Sequence, residues 1–210
     1  MPVPVCAVIP ALDEEATIST VVADVAAQVD EVIVVDNGST DHTAAVAVTA
    51  GARVVREARR GYGAACHFGA IAADPDAILL FLDGDGSDDP AALGTVLAPV
   101  ACGRAQLSLG SRLRGRRGAV TDLGPVRAIS RRDLLALDMR SRTYGWPLEM
   151  ILKAARARLA IEEVAVATRP RAGGRSKVSG SLPASVRTAA RFGEAFLRYG
   201  LHRPTGRSRS

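Results

Sequence analysis

The chain has 210 residues, 48% hydrophobic and 23% charged, with a net charge of +5, so a folded soluble domain with a real core is expected. Cys6, Cys66 and Cys102 form no C-x-x-C pair and cannot pair evenly, and the three histidines are scattered, which excludes a disulfide scaffold and a zinc module. There is no basic-then-apolar leader and no apolar run near the roughly 20 residues of a membrane span, so a reduced, cytoplasmic setting is expected.

Val3–Pro10 (VPVCAVIP) is a β-branched apolar run that predicts a buried strand. Asp13 is placed to cap the next helix, with Glu14 and Glu15 in its first turn, running to about Ala27. Glu31–Asp36 (EVIVVD) predicts a second strand, and Thr40 or Asp41 caps a helix that stops at Gly51. Ala52–Glu57 predicts a third strand, GYGAACHFGAIAA a helix opened by glycines, and Ala77–Asp83 a fourth strand. Pro90 suits the first turn of another helix, and Gln106–Arg112 predicts a fifth strand. Beyond Gly118 follow a turn and strand over Asp122–Ser130, a short helix in RRDLLALD, an amphipathic helix over Pro147–Arg158 and a strand within Leu159–Arg169. RAGGRSKVSGS is too rich in glycine to be regular, and Pro183–Tyr199 predicts a last helix. Residues 1–200 are expected to form one domain and 201–210 a disordered basic tail.

Strands alternating with helices predict an α/β fold with a mostly parallel central sheet, whose ligands bind beyond the carboxyl ends of the strands. The polar clusters all fall on that rim: Asp13 and Glu14, then Asp36, Asn37 and Ser39, then Arg59 and Arg60, then Asp83 and Asp85, then Ser111 and Arg112. Each alone is ordinary turn chemistry; five together predict a site.

The sharpest cluster is FLDGDGSDDP, which sets four carboxylates after an apolar strand. Strand parity would let Asp83 and Asp85 aim at one spot, where Mg2+ or Mn2+ can bind two carboxylates and the phosphates of a substrate. An EF-hand is excluded, because its sixth position is Asp88 where glycine is needed and its twelfth is Gly94 where glutamate is needed. A dinucleotide fold is excluded too, because PALDEE after the first strand contains no glycine. A plain Asp-Gly turn remains the alternative.

The basic residues are also uneven. Arg112–Arg117 holds four arginines, and Arg169–Ser210 holds ten Arg or Lys against the single acid Glu194. Such stretches suit phosphates or an anionic membrane surface, with a solvated basic face as the plain alternative. Nucleic acid is not expected, since aromatic interleaving and a recognisable binding module are lacking. In the last predicted helix Phe192, Phe196 and Tyr199 share one side and Arg187, Arg191 and Arg198 another, which fits an interfacial membrane helix or a helix packed on the domain.

VIPALDEEATI, VIVVDNGSTDHT, GYGAA, FLDGDGSDDP and LGSR occur in the order found in family 2 glycosyltransferases of the GT-A fold, which this chain resembles. DLGPVRAIS, YGWPLEM and RAGGRSKVSGS resemble the branch of dolichyl-phosphate mannose synthase and bacterial polyprenyl-phosphate sugar transferases, so the resemblance covers about Val5 to Ser181. It implies a nucleotide-diphosphate sugar donor of the UDP-glucose or GDP-mannose type, held by Pro10, Leu12, Glu14, Asp36, Asp83, Gly84 and Arg112, with Arg171 and Lys177 closing over its phosphates. It implies a Mg2+ or Mn2+ ion on Asp83 and Asp85, with Asp85 the principal ligand and Ser87 assisting.

The implied reaction is an inverting transfer of one sugar, most simply to a polyprenyl phosphate at the inner face of the membrane. Arg127 is the candidate for gripping a lipid phosphate, and Asp122 or Glu149 is the candidate base if the acceptor is a hydroxyl. Only RRGAVT separates Gly115 from Asp122, where that branch carries a longer, amphipathic segment. Two alternatives therefore stay open: a nucleotide-sugar-binding protein with weak or no transfer, and a sugar-nucleotide pyrophosphorylase.

Overall fold

The structure, a computed structural model, describes residues 3–112 and 123–167. Asp122, Arg171, Lys177, Arg114–Arg117, the glycine-rich stretch and the predicted last helix lie outside these residues.

Thirteen elements follow one another along the described chain: β1 (Val5–Ala11), α1 (Ile18–Ala26), β2 (Glu31–Asp36), α2 (Thr43–Thr49), β3 (Arg53–Arg56), α3 (Tyr62–Ala72), β4 (Ile78–Phe81), α4 (Pro90–Ala101), β5 (Leu107–Ser111), β6 (Arg127–Ser130), α5 (Arg131–Ala136), α6 (Trp146–Arg156) and β7 (Ile161–Ala165). The strands form one sheet in the order β3-β2-β1-β4-β6-β5-β7. All pairs are parallel except those of β6, which runs antiparallel to both β4 and β5. The expected mostly parallel sheet is therefore present, with one reversed strand that the apolar run before Ser130 does not signal.

Apolar runs buried on both faces explain the strands. Cys6 and Val8 of β1 pack with α3 and α6, while Ala7, Ile9 and Ala11 pack with α1 and α4. Gly69 of α3 sits so close to the sheet that a Cβ there would lie 2.4 Å from Val8 Cγ1. Chain order turns back between β1 and β4, the kind of switch point that opens a crevice at the carboxyl ends of the strands. β1 and β2 end together there, with Ala11 opposite Asp36, and β4 ends at Phe81 opposite Val8.

Two expected features differ. Asp13 does not cap α1, which begins at Ile18 after Thr17; Asp13 takes a left-handed φ of 50° and bonds across to the next loop. β4 stops at Phe81, so Asp83 and Asp85 lie in a turn and strand parity does not orient them.

Candidate active site

Two loops build the left half of the crevice. Asp13 accepts from the Thr40 amide at 2.7 Å, and the Asp13 amide donates to Ser39 Oγ at 3.0 Å. The Glu14 amide donates to Thr43 Oγ1 at 2.8 Å, and Glu15 accepts from the His42 amide at 2.9 Å. These reciprocal bonds fix the β1–α1 loop against the β2–α2 loop. Asp36 sits at the junction, nearly buried, accepting from the Ser39 amide at 2.9 Å, with Arg56 Nε 3.8 Å away. Pro10, Leu12 and Glu14 line the same rim, each partly exposed.

Asn37 carries the order one loop further. Its Nδ2 donates to the Glu57 and Arg59 carbonyls at 2.9 Å each, and its Oδ1 accepts from the Gly61 amide at 2.7 Å. The β3–α3 loop is thereby hung from the end of β2.

Three of the four carboxylates of the central turn bond separate backbone amides. Asp89 caps α4, accepting from the Ala91 amide at 3.2 Å. Asp88 folds back and accepts from the Asp83 amide at 3.0 Å, closing the turn. Asp85, only 4% exposed, accepts from the Ser87 amide at 2.9 Å. Thr17 Oγ1 donates to the Gly84 carbonyl at 2.7 Å and ties the turn to the start of α1. Gly84 lies flat on β1, where a Cβ would be 3.5 Å from Ile9 and Ile18. Burial pushes the Asp88 carboxyl up to about 6; the charge of Asp85 adds to this, and the Asp83 amide and the Arg112 and Arg127 guanidiniums oppose it.

Among the described residues no three His, Cys, Asp or Glu side chains converge to enclose an ion. Asp83 and Asp85, two carboxylates in the turn past β4, could hold a hard cation that takes its other oxygens from substrate phosphates and water, as magnesium and manganese do. Ser87 shapes the turn through its amide.

The right half differs from the sequence-based roles. Arg112 is exposed just past β5, on the rim as expected. Arg127 is 0% exposed; its guanidinium donates to the carbonyls of Gly124, Pro125 and Pro147 and lies 6.0 Å from the centre of the Trp146 ring. In this arrangement Arg127, which pairs with Phe81 at the end of β4, ties the entry of β6 to α6. Glu149 is also 0% exposed. It accepts from the Arg140 amide at 2.8 Å and the Ser141 amide at 2.6 Å, and Lys153 Nζ lies 2.9 Å away. Burial pushes its carboxyl up, but the two amides and the ammonium outweigh burial and hold it below the ordinary glutamate value. A carboxylate so engaged is a poor general base. Its role here is to fold the loop before α6.

That loop packs on the start of α3. The Ala64 amide donates to the Arg142 carbonyl at 3.0 Å. A Cβ on Gly61, whose φ is 142°, would lie 2.1 Å from the Arg142 carbonyl oxygen, and one on Gly63 would lie 2.5 Å from that of Ser141. Glycine is required at both positions. Thr17, Asp88 and the loop residues 139–143 thus join the candidate site without a role in the sequence analysis, whereas Asn37 lies in a predicted rim cluster and Tyr144 and Gly145 open the YGWPLEM motif.

The glycosyl transferase family 2 model matches residues 6–176. An uncharacterized glycosyltransferase of Mycobacterium tuberculosis (strain ATCC 25618 / H37Rv) is 40% identical over 205 residues, covering 87% of this chain and 93% of the relative. Glucosyl-3-phosphoglycerate synthase of Mycolicibacterium paratuberculosis is 46% identical over 90 residues, 37% of this chain and 27% of that protein. The crystal structure of glucosyl-3-phosphoglycerate synthase from Mycobacterium tuberculosis with Mn2+, UDP and phosphoglyceric acid superimposes with a TM-score of 0.80 at 25% identity, over 97% of this chain and 80% of that one. The same enzyme with Mg2+ and UDP gives a TM-score of 0.79 at 25% identity, over 96% and 81%. The chain belongs to glycosyl transferase family 2 as a glycosyltransferase.

Proposed function

We propose that this chain transfers glucose from UDP-glucose to the hydroxyl of a small phosphorylated carboxylic acid of the 3-phosphoglycerate type, with Mg2+ or Mn2+ on Asp83 and Asp85. The observation that carries the reading is the similarity, in sequence and in backbone, to glucosyl-3-phosphoglycerate synthase, whose structure holds Mn2+, UDP and phosphoglyceric acid. The sequence motifs alone favoured a lipid phosphate. Among the relatives, the Mycolicibacterium paratuberculosis protein is a glucosyl-3-phosphoglycerate synthase instead.

The residues divide the work as follows. Pro10, Leu12, Glu14 and Asp36 form the nucleoside edge. Asp83, Gly84 and Asp85 face the diphosphate, with Arg112 on the same rim, and Arg171 and Lys177 are assigned to its outer side. The ion, when bound, supplies Lewis-acid neutralisation of the diphosphate leaving group. A hydroxyl acceptor must lose a proton. Glu149 is engaged elsewhere, so Asp122 is the remaining candidate for a base and the inverting course rests on it.

The test is incubation of the purified chain with UDP-glucose, 3-phosphoglycerate and Mn2+, reading UDP release and product mass. Glucosyl-phosphoglycerate formed only with metal is the expected result. Transfer to a polyprenyl phosphate but not to 3-phosphoglycerate would overturn the acceptor assignment.

A further inference from the structure

The chain is basic overall, yet its first half is acidic. Residues 1–52 hold eight Asp or Glu and no Lys or Arg, and residues 61–103 hold six Asp and no Lys or Arg. The two stretches meet where α1 lies against the acidic turn and the start of α4, and a cleft of about 150 Å³ opens between them. Thr17, Thr20, Val21, Asp24 and Val25 contribute one face of α1 and its N-cap, at helical spacing. Two bonds brace the walls: Thr17 Oγ1 donates to the Gly84 carbonyl at 2.7 Å, and Gln28 Nε2 donates to the Pro90 carbonyl at 3.0 Å.

The cleft combines two kinds of surface. Val21, Val25, Leu82 and Leu93 are buried and form an apolar floor. Asp24 is exposed and Asp83 and Asp88 are half-buried, so three carboxylates stand at the rim. No Lys or Arg lines the cleft, and Arg112 and Arg127 act on the charge of Asp88 from outside the lining. A bare metal ion does not suit this surface, because the floor offers no oxygen ligands and no three acidic side chains converge among the described residues. An uncharged hydrocarbon fills the floor but leaves the carboxylates without a counter-charge. A cavity of this size accepts a body about as large as benzene. The complementary molecule therefore has a compact apolar body and one positive end. Pro10, Leu12, Glu14, Asp36 and Asp85 do not line the cleft, which separates it from the nucleoside edge and leaves Asp83 as its link to the metal turn.

We propose that this cleft is a second ligand site, for a small organic ammonium ion with an aliphatic or aromatic body, and that its occupant opposes metal binding through Asp83. The site stands on the cleft alone; the coupling rests on the metal reading above. An ammonium beside Asp83 and a divalent ion on Asp83 repel each other, and the effect on affinity is equal in both directions.

The test is calorimetric titration of the full chain at neutral pH with benzylamine and with its uncharged analogue benzyl alcohol, each without and with Mn2+. Benzylamine is expected to bind with a Kd of about 1 mM, roughly fivefold tighter than benzyl alcohol. Asp24→Asn weakens benzylamine about fivefold and leaves benzyl alcohol within about twofold. Val21→Phe fills the floor and abolishes the binding of both. Bound Mn2+, read by loss of the free-ion paramagnetic resonance signal, weakens benzylamine about fivefold in the wild type. No benzylamine heat up to about 10 mM, or equal affinity for benzyl alcohol, would overturn the proposal. So would benzylamine binding that survives Val21→Phe at an unchanged melting temperature, or that Asp24→Asn leaves unaltered; the second variant changes an exposed side chain and decides the matter if the first does not fold. Bound Mn2+ without effect on benzylamine would strike the coupling. Mn2+ that does not bind at all removes the metal reading and the coupling with it, while the amine titrations still decide the site.

Discussion

Glu149→Ala tests whether a buried carboxylate organises the loop before α6. The side chain is fully buried, accepts from two backbone amides and neutralises Lys153, whose own side chain is 13% exposed. Alanine leaves both amides without this acceptor and removes the carboxylate nearest the ammonium. Breaking a buried pair by removing one partner costs about 3–5 kcal/mol. With a urea slope of roughly 2 kcal/mol per molar, the unfolding midpoint falls by about 2 M. The sign with pH is also fixed. Folding lowers this carboxyl's pKa, so its contribution is complete above the ordinary glutamate value of about 4.3 and is lost as the pH falls through the lower folded value. Urea unfolding of wild type, Glu149→Ala and Glu149→Gln at neutral and acid pH reads both effects, and the wild type–Gln gap narrows on acidification. A Glu149→Ala midpoint equal to wild type would refute the reasoning, and a folded, fully stable variant with lost transfer would return Glu149 to the role of a base.

Asp85→Asn keeps an oxygen for the Ser87 amide but removes the charge, so calorimetry is expected to show Mn2+-dependent nucleotide binding lost at an unchanged melting temperature. Gly63→Ala pushes a methyl against the Ser141 carbonyl and Trp146 Cβ; a loss of about 1–3 kcal/mol is expected in urea, read by the fluorescence of the single tryptophan. Thr17→Val removes the 2.7 Å bond to the Gly84 carbonyl, and the expected cost is about 1–2 kcal/mol with weaker Mn2+ affinity. Arg127→Met is expected to lower stability by about 3 kcal/mol and leave nucleotide affinity unchanged; a stable variant with weakened acceptor binding would restore the phosphate grip.

Much of the left half was legible because its signals are local. β2 spans Glu31–Asp36 as its apolar run indicates, Pro90 opens α4, and the acidic motifs sit on the predicted rim. Asp13 was misassigned because a helix cap and a loop-to-loop bond use the same residue type, and only the distant Thr40 amide decides between them. The four aspartates looked alike in sequence, yet three of them bond to backbone amides on different parts of the turn. On the right half the deciding partners are far apart in the chain. Arg127 is charged but buried because carbonyls from residues 124, 125 and 147 converge on it. Tyr144 stacks on Tyr62 across 82 positions, a pairing that periodicity and spacing do not encode.

A crystal structure of the chain with Mn2+ and UDP tests the central claim most directly. The account predicts an anomalous manganese peak about 2.1 Å from an Asp85 carboxylate oxygen and bridging the diphosphate, with the nucleoside against Asp36. A diphosphate bound with no ion on Asp83 or Asp85, or bound away from the end of β4, would contradict it.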